Sequence, residues 1–313
     1  MEVFLTGATG YIGSVVAEKL QAAGHQVIGL VRTDESAIKL SLRQIEPRVG
    51  DLRDLEGLMQ AARQADGVIH TAFNIARVPA QFALSQETDR RATEAFVTAL
   101  EGSTKPFVYT SASMLTAIPA DEGKATVRIA DEEAPIEPPS FLKERFETEQ
   151  FVLAAASRGV RTIVLRVPEV YGRGSGIHLT EPFKLARQMG VALYVGKGEH
   201  RWSTVHVEDL AELYVLALER ASACSLFNAS SGEVIMKAQA ESINRNLGFD
   251  GQTRSVTVEE MLEIGGPIYA ATYATNCRIL GDKAKRLLGW MPKSPSLLEE
   301  IECGSYTTGA QTK

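Results

Sequence analysis

Apolar and polar positions alternate between two periods along the first half of the chain. Val3-Phe4-Leu5 is a continuous apolar run, as in a strand buried on both faces. Ile12, Val15, Val16 and Leu20 then recur on one helical face, which Gly24 stops. Further strands are expected at Gln26–Val31, Ile45–Val49, Gly67–Phe73, Pro106–Thr110 and Thr162–Val167. Helical segments are expected at Arg53–Ala65, Pro79–Leu100 and Phe141–Ser157, the last opened by Ser140 as an N-cap with Glu144 and Glu147 in the first turns. Strands alternating with helices at this rhythm predict an α/β fold, a doubly wound parallel sheet. After Gly172 the rhythm changes. Helices are expected at Leu179–Met189, Asp209–Arg220 and near 237–247, 257–263 and 281–288, with a last strand at Leu226-Phe227-Asn228. The residues from Gly304 onward are polar and expected to be loose.

The turn after the first run carries Gly7, Gly10 and Gly13. Strand, glycine turn and helix in that order place a phosphate on a helix N-terminus, where unpaired amides and the helix dipole favour an anion. Gly7 suits the tight turn, Gly10 leaves room for the pyrophosphate, and Gly13 lets the helix pack close to the strand. The ribose is read about 20 residues further on. There Arg32 follows the second strand, with hydroxyls at Thr33 and Ser36. A guanidinium fork suits a 2′-phosphate and points to NADP; the competing reading has Asp34 accepting from the 2′-hydroxyl of NAD. Asp51 can accept from the adenine amino group while Leu52 covers the ring, and it can equally cap the helix that follows. Thr71, Ala72 and Phe73 end the fourth strand with room for a dinucleotide. His70 reads as a strand-end core histidine.

Composition narrows the function. Hydrophobic residues make up 44% and charged ones 23% of the 313, ordinary for a globular chain. A net charge of -6 argues against a nucleic-acid partner. No apolar run is long enough to span a bilayer, and the N-terminus leads straight into the first strand, leaving no room for a signal peptide. Cys224, Cys277 and Cys303 are odd in number and widely spaced, which suits a reduced, cytoplasmic setting. The five His residues show no metal-ligand spacing.

Seven pieces, in order, resemble the extended short-chain dehydrogenase/reductase superfamily of nucleotide-sugar epimerases, dehydratases and reductases. They are Thr6 to Gly13, Gly50-Asp51-Leu52, His70-Thr71-Ala72, Val108 to Ser111, Leu165 to Pro168 with Val170-Tyr171-Gly172, Val205 to Ala211, and Leu288-Gly289-Trp290. The resemblance implies a Rossmann-type domain over 1–172, rejoined by segments near 200–230, and a smaller substrate-binding cap built mostly from 173–313. It implies a nicotinamide dinucleotide held by Gly7, Thr9, Gly10, Tyr11, Ile12, Gly13, Arg32, Thr33, Asp51, Leu52, Thr71, Ala72, Phe73, Ser111, Arg145, Pro168 and Val170. A small molecule is the implied substrate, and a homodimer is an option, since helix-paired dimers are common in similar folds.

The catalytic pieces depart from the family's pattern. No Tyr-x-x-x-Lys occurs. Counting back from Glu149 places Phe141 where the family has its Tyr and Arg145 where it has its Lys, and Ala112 stands at the Ser position between Ser111 and Ser113. Phe141 cannot transfer a proton, and loss of a general acid removes about 10²–10⁴-fold in rate. Arg145 keeps a positive charge for the ribose. Lys143 is about 160° around the helix from it and reads as solvated. Candidate replacements for the acid are Ser113, Tyr171 and a bound water; the bland readings are a turn residue for Ser113 and wall packing for Tyr171. Arg173, Lys184, Arg187 and Arg201 are candidates for a phosphate clamp in the cap. Two functions fit: an atypical NADP(H)-dependent oxidoreductase acting on a small carbonyl or sugar-like substrate, and a non-catalytic NADP-binding redox sensor.

Overall fold

The computed structural model describes residues 1–75, 78–119, 128–249 and 252–307. Its centre is a seven-stranded sheet of β1 (Glu2–Thr6), β2 (Gln26–Val31), β3 (Glu46–Val49), β4 (Gly67–His70), β5 (Pro106–Ala112), β6 (Arg161–Val167) and β7 (Ser225–Asn228). The spatial order is β3-β2-β1-β4-β5-β6-β7, with every neighbouring pair parallel. Strand order therefore reverses between β1 and β4, and the crevice above that switch point is where such sheets bind ligands.

Both faces of the sheet are covered, which is why its strands read as unbroken apolar runs. On β1, Val3 and Leu5 meet Val15, Val16 and Leu20 of helix α1 (Tyr11–Ala22) and the helix Val207–Arg220. Phe4, between them, faces helix α3 (Leu55–Gln64) and helix α4 (Pro79–Leu100). A fully buried Val, Leu or Phe contributes about 1.5–3 kcal/mol, so a one-residue slip of β1 would exchange both sets. A second apolar cluster gathers Leu179, Phe183, Trp202, Met236, Ile243 and Tyr273, all from the chain after Gly172. Three small sheets brace it; one pairs Thr275–Asn276 with Ile118–Pro119, tying this part to the loop after β5.

Several expectations are corrected. Helix α2 (Asp34–Ser41) follows β2, capped by Thr33 accepting from Ser36 N and carrying a Glu35–Lys39 pair, where the sequence reading placed no element. Asp51 does not cap α3: its carboxylate is held by Arg53, and Asp54 accepts from Gly57 N as the N-cap. Ser140 makes no side-chain cap. A 3₁₀ turn, Ser140–Leu142, leads into α5 (Lys143–Ala154) instead, because its first backbone bond is Leu142 N to Pro139 O. The helix expected at Asp209–Arg220 begins at Val207, directly after a strand, Arg201–His206. The segment from Gly304 is anchored as far as it is described: Tyr306 is buried and takes a hydrogen bond from Gly172 N. Residues 308–313 lie outside the described residues.

One buried ion pair pins α5 to the sheet. Glu149 accepts from Arg166 of β6 (Nη2 to Oε1 2.5 Å, Nε to Oε2 3.0 Å) and from the Ser111 hydroxyl of β5 at 2.7 Å. The two charged side chains are 0% and 3% exposed. Breaking a buried pair leaves a charge uncompensated, so Arg166→Ala is expected to lower the unfolding free energy by about 3–5 kcal/mol. Urea titration reads this directly, and a loss under about 1 kcal/mol would show that α5 is held by apolar packing alone.

Candidate active site

The glycine turn stands at the end of β1. Gly7 has φ +78°, and a Cβ there would lie 2.7 Å from Thr71 Oγ1. Gly10 N donates to Gly7 O at 2.8 Å and closes the turn. A Cβ on Gly13 would fall 2.1 Å from the Gly7 carbonyl oxygen, so only glycine lets α1 come this close. The exposed Gly10 has one neighbour near its missing Cβ, Gly7 O at 3.1 Å. Helix α1 opens on Gly10 with no side-chain cap and no acidic residue in its first turn. Its leading amides are thus left with their partial positive charge for an incoming anion. Thr71 Oγ1 donates to Thr6 O at 2.8 Å and ties the loop after β4 to β1. Tyr11 reaches across to donate to Gly172 O at 2.8 Å. Pro168 and Val170 are buried beneath this corner, Val170 against the α1 side of the sheet. Thr9 is exposed and Ile12 half-buried.

The corner over β2 and β3 is cationic. Arg32 is exposed at the end of β2, and Thr33 spends its oxygen on capping α2. Asp51 accepts from Arg53 N at 3.0 Å and Nε at 2.7 Å. The Arg53 side chain, then its amide, and the Arg32 charge hold the Asp51 carboxyl below its ordinary value. Leu52 is half-buried beside it. Arg53 was not foreseen as part of this corner; its position two residues after Asp51 was the available signal.

Behind the crevice lies a buried polar network. His70 Nδ1 is 2.5 Å from Thr6 Oγ1, and its Nε2 is 3.2 Å from Asp89 Oδ1 on α4. Asp89 also takes the Tyr109 hydroxyl at 2.7 Å and lies 3.5 Å from Arg145 Nη1. Burial alone would raise the Asp89 carboxyl, but Arg145, His70 and Tyr109 together hold it low. Arg145 Nη2 donates to Thr110 O at 2.6 Å, and its guanidinium sits 4.1 Å from the centre of the Phe73 ring. His70 is buried as expected, yet it joins β1 and β4 to α4 through this network.

The position that would carry the family's acid is apolar. Phe141 is half-buried with Phe73 and Met114 around Phe82, Leu115 and Leu142. Ala112, also half-buried, ends β5. The nearby hydroxyls are engaged elsewhere. Ser111 is bonded to Glu149 in the interior. Ser113 Oγ lies 3.1 Å from Cys277 Sγ, whose thiol burial pushes up to about 12. Tyr171 is 3% exposed and donates to Pro295 O at 2.8 Å, which is the wall-packing role. Lys143 is exposed, 4.0 Å from Glu147. Of the clamp candidates, Arg173 is paired with Glu18 and Glu208, Arg201 with Glu233, Arg187 lies over Phe183, and Lys184 is exposed.

One acid escaped the sequence reading. Glu169 follows Pro168 past β6 and is buried, its Oε1 accepting from Gln239 Nε2 at 3.2 Å. Burial pushes its carboxyl up to about 8, so it is mostly protonated at neutral pH. Its signal was a Glu set between Pro168 and Val170 at the end of a mostly apolar strand.

Comparison with known proteins places this geometry. A model of the NAD dependent epimerase/dehydratase family matches residues 3–229. An uncharacterized protein of Schizosaccharomyces pombe is 36% identical, covering 98% of this chain and 100% of its own length. Sterol-4-alpha-carboxylate 3-dehydrogenase, decarboxylating, from Dictyostelium discoideum is 27% identical over 74% of this chain and 72% of its own. The crystal structure of Thermus thermophilus UDP-glucose 4-epimerase in complex with NAD has the same fold, with TM-score 0.77 at 22% identity, covering 99% of this chain and 100% of that one.

The Glu169 carboxyl makes stability depend on pH. Folded, it keeps a proton that the unfolded chain releases above about 4.5, so its contribution is full below that value and is lost as pH rises through about 8. His178 and His206, both pushed down by burial, act in the opposite sense, but only below their ordinary 6.5. Between those histidines and Glu169, the unfolding free energy is expected to fall by about 2 kcal/mol with rising pH. Glu169→Gln should flatten this slope in urea titrations at several pH values; an unchanged slope in the variant would assign it to another group.

Proposed function

The chain belongs to the NAD-dependent epimerase/dehydratase family, and from that premise we propose that it is an NADP(H)-dependent oxidoreductase acting on a small carbonyl compound. The observation that carries this is the uncapped, acid-free start of α1 above Gly7 and Gly10, an opening shaped for a diphosphate. The residues around it fit the dinucleotide: Gly7, Gly10, Tyr11, Ile12 and Gly13 along the diphosphate, Leu52 over the adenine, and Thr71, Ala72 and Phe73 under the nicotinamide half. When bound, the nicotinamide supplies or accepts the hydride. Thr9, Asp51, Pro168 and Val170 complete the proposed cofactor wall. Exposed Arg32, with Arg53 nearby, supports NADP over NAD, since two guanidinium groups suit a phosphate dianion. Thr33 and Asp51 shape that corner while their oxygens serve α2 and Arg53.

Arg145 replaces the Lys of the family's pattern. Asp89, Thr110 O and the Phe73 ring hold it in one orientation, so its charge is fixed at the inner wall. Phe141 carries no proton, and the Tyr171 hydroxyl is given to Pro295. Proton transfer then falls to bound water, or to Ser113 once its hydroxyl turns away from the Cys277 thiol. The Dictyostelium relative, a dehydrogenase by name, supports redox chemistry for this chain.

Two measurements test the reading. NADPH supplied with a panel of aldehydes, ketones and nucleotide sugars should be consumed with at least one carbonyl class, followed at the nicotinamide absorbance band. Tight NADPH binding with no turnover on any of them would leave only a non-catalytic role. Arg32→Ala is expected to weaken NADPH about tenfold or more, the loss of one charge-assisted phosphate contact, with NADH changed by about twofold or less. Equal losses for both coenzymes in a fluorescence titration would show that Arg32 does not read the 2′-phosphate.

A further inference from the structure

Between α4 and α5, with Pro267 also in its lining, lies a groove of about 620 Å³. That is within the range of small-molecule sites, about 300–1,000 Å³. Its aromatic surface is Phe82 and Phe141, whose ring centres are 6.2 Å apart. Phe82 in turn meets Phe73 edge-on at 5.8 Å, and Phe73 covers Arg145. Phe141, Phe82 and Phe73 thus form a chain of rings that runs from the groove to the Arg145 guanidinium.

Gln86 lines the same groove and is 6% exposed. Its Nε2 donates to Phe141 O at 3.1 Å, while its Oε1 is buried with no partner. Turning the amide over would set oxygen against oxygen, so the orphan acceptor is fixed by the Phe141 carbonyl. A buried acceptor left unmet lowers stability, and a donor brought in by a ligand, with a small shift of the amide, would satisfy it. The charges on the rim are already matched. Arg90 pairs with Glu94 at 2.5 Å and Glu144 at 3.4 Å, and Lys143 lies 4.0 Å from Glu147. In the cap, Arg173 and Arg201 are likewise paired, and the cations lining the groove itself are the already matched Arg90 and Lys143.

We propose that this groove seats the outer part of the substrate, and that the substrate is a flat, largely apolar molecule bearing one N–H or O–H donor for Gln86 Oε1, not a nucleotide sugar. Calling the occupant a substrate rests on the oxidoreductase reading; the binding itself does not. The test is calorimetry on the full chain with indole and with indene, its isostere lacking the N–H, each with and without saturating NADPH. Indole should bind about fivefold or more tighter than indene, the yield of one hydrogen bond. Gln86→Leu should erase that difference, and Phe141→Ala should weaken both ligands. NADPH affinity, read in the same experiments, checks that the variants are folded. UDP-glucose should not displace indole. Equal binding of indole and indene to the native chain, no binding of either, discrimination surviving in Gln86→Leu, or displacement by UDP-glucose would each overturn the proposal. A groove covered by a second copy would show as absent indole binding with dimer-sized sedimentation, and would overturn it too. Failure to bind NADPH would instead strike the oxidoreductase reading, leaving the indole comparison to judge the groove.

Discussion

The approach of α1 to β1 at the glycine turn is the constraint on which the rest depends. A single methyl group at Gly13 would stand 2.1 Å from the Gly7 carbonyl, and one at Gly7 would strike Thr71. Without them, the first turn of α1 settles over the end of β1, with Val15, Val16 and Leu20 directed into the sheet. The helix Val207–Arg220 shares that face, so chain from far along the sequence is packed against the same core. The amides that would receive a diphosphate are therefore held by a large apolar cluster behind them, and the crevice is preorganised by packing.

Two buried polar groupings then set the crevice walls. Thr6, His70, Asp89, Tyr109 and Arg145 bind the ends of β1, β4 and β5 to α4 and α5. Ser111, Glu149 and Arg166 bind β5 and β6 to α5. Because charges in such places need partners, the side chains facing inward from β5 and α5 are spoken for. What remains for the crevice is Phe73, Ala112, Met114 and Phe141, an apolar lining with the Arg145 charge beneath it. Phe141 itself packs in an aromatic group with Phe82, which in turn meets Phe73.

Periodicity along the chain was enough to recover the sheet, since each strand is bounded by glycine, proline or a change from period two to period 3.6. Gln26–Val31 and Pro79–Leu100 were read to the residue. The glycine turn was equally legible, because glycine acts through backbone geometry that is local. Short capped elements were less so. Helix α2 hides behind the polar run after Val31, and Asp51 and Asp54 compete for one cap, a choice made by which carboxylate Arg53 captures. Tyr306 reads as part of a polar tail and is buried because Phe183 stacks on its ring and Gly172 and Ser175 lie across from its hydroxyl.

By itself, then, the order of residues determined the doubly wound sheet, the phosphate-ready turn and the lack of a tyrosine–lysine pair, since each is a matter of spacing within a few residues. Only the tertiary structure decided which polar side chains are still available for chemistry. Ser111, Ser113 and Tyr171 are equivalent in a sequence, each a hydroxyl near a strand end, but their partners Glu149, Cys277 and Pro295 lie 38 to 164 residues away. The same holds for Glu169, whose proton is retained because the folded chain takes the carboxyl out of water beside the Gln239 amide. Desolvation and pairing arise from contacts between distant segments, and no local pattern contains them.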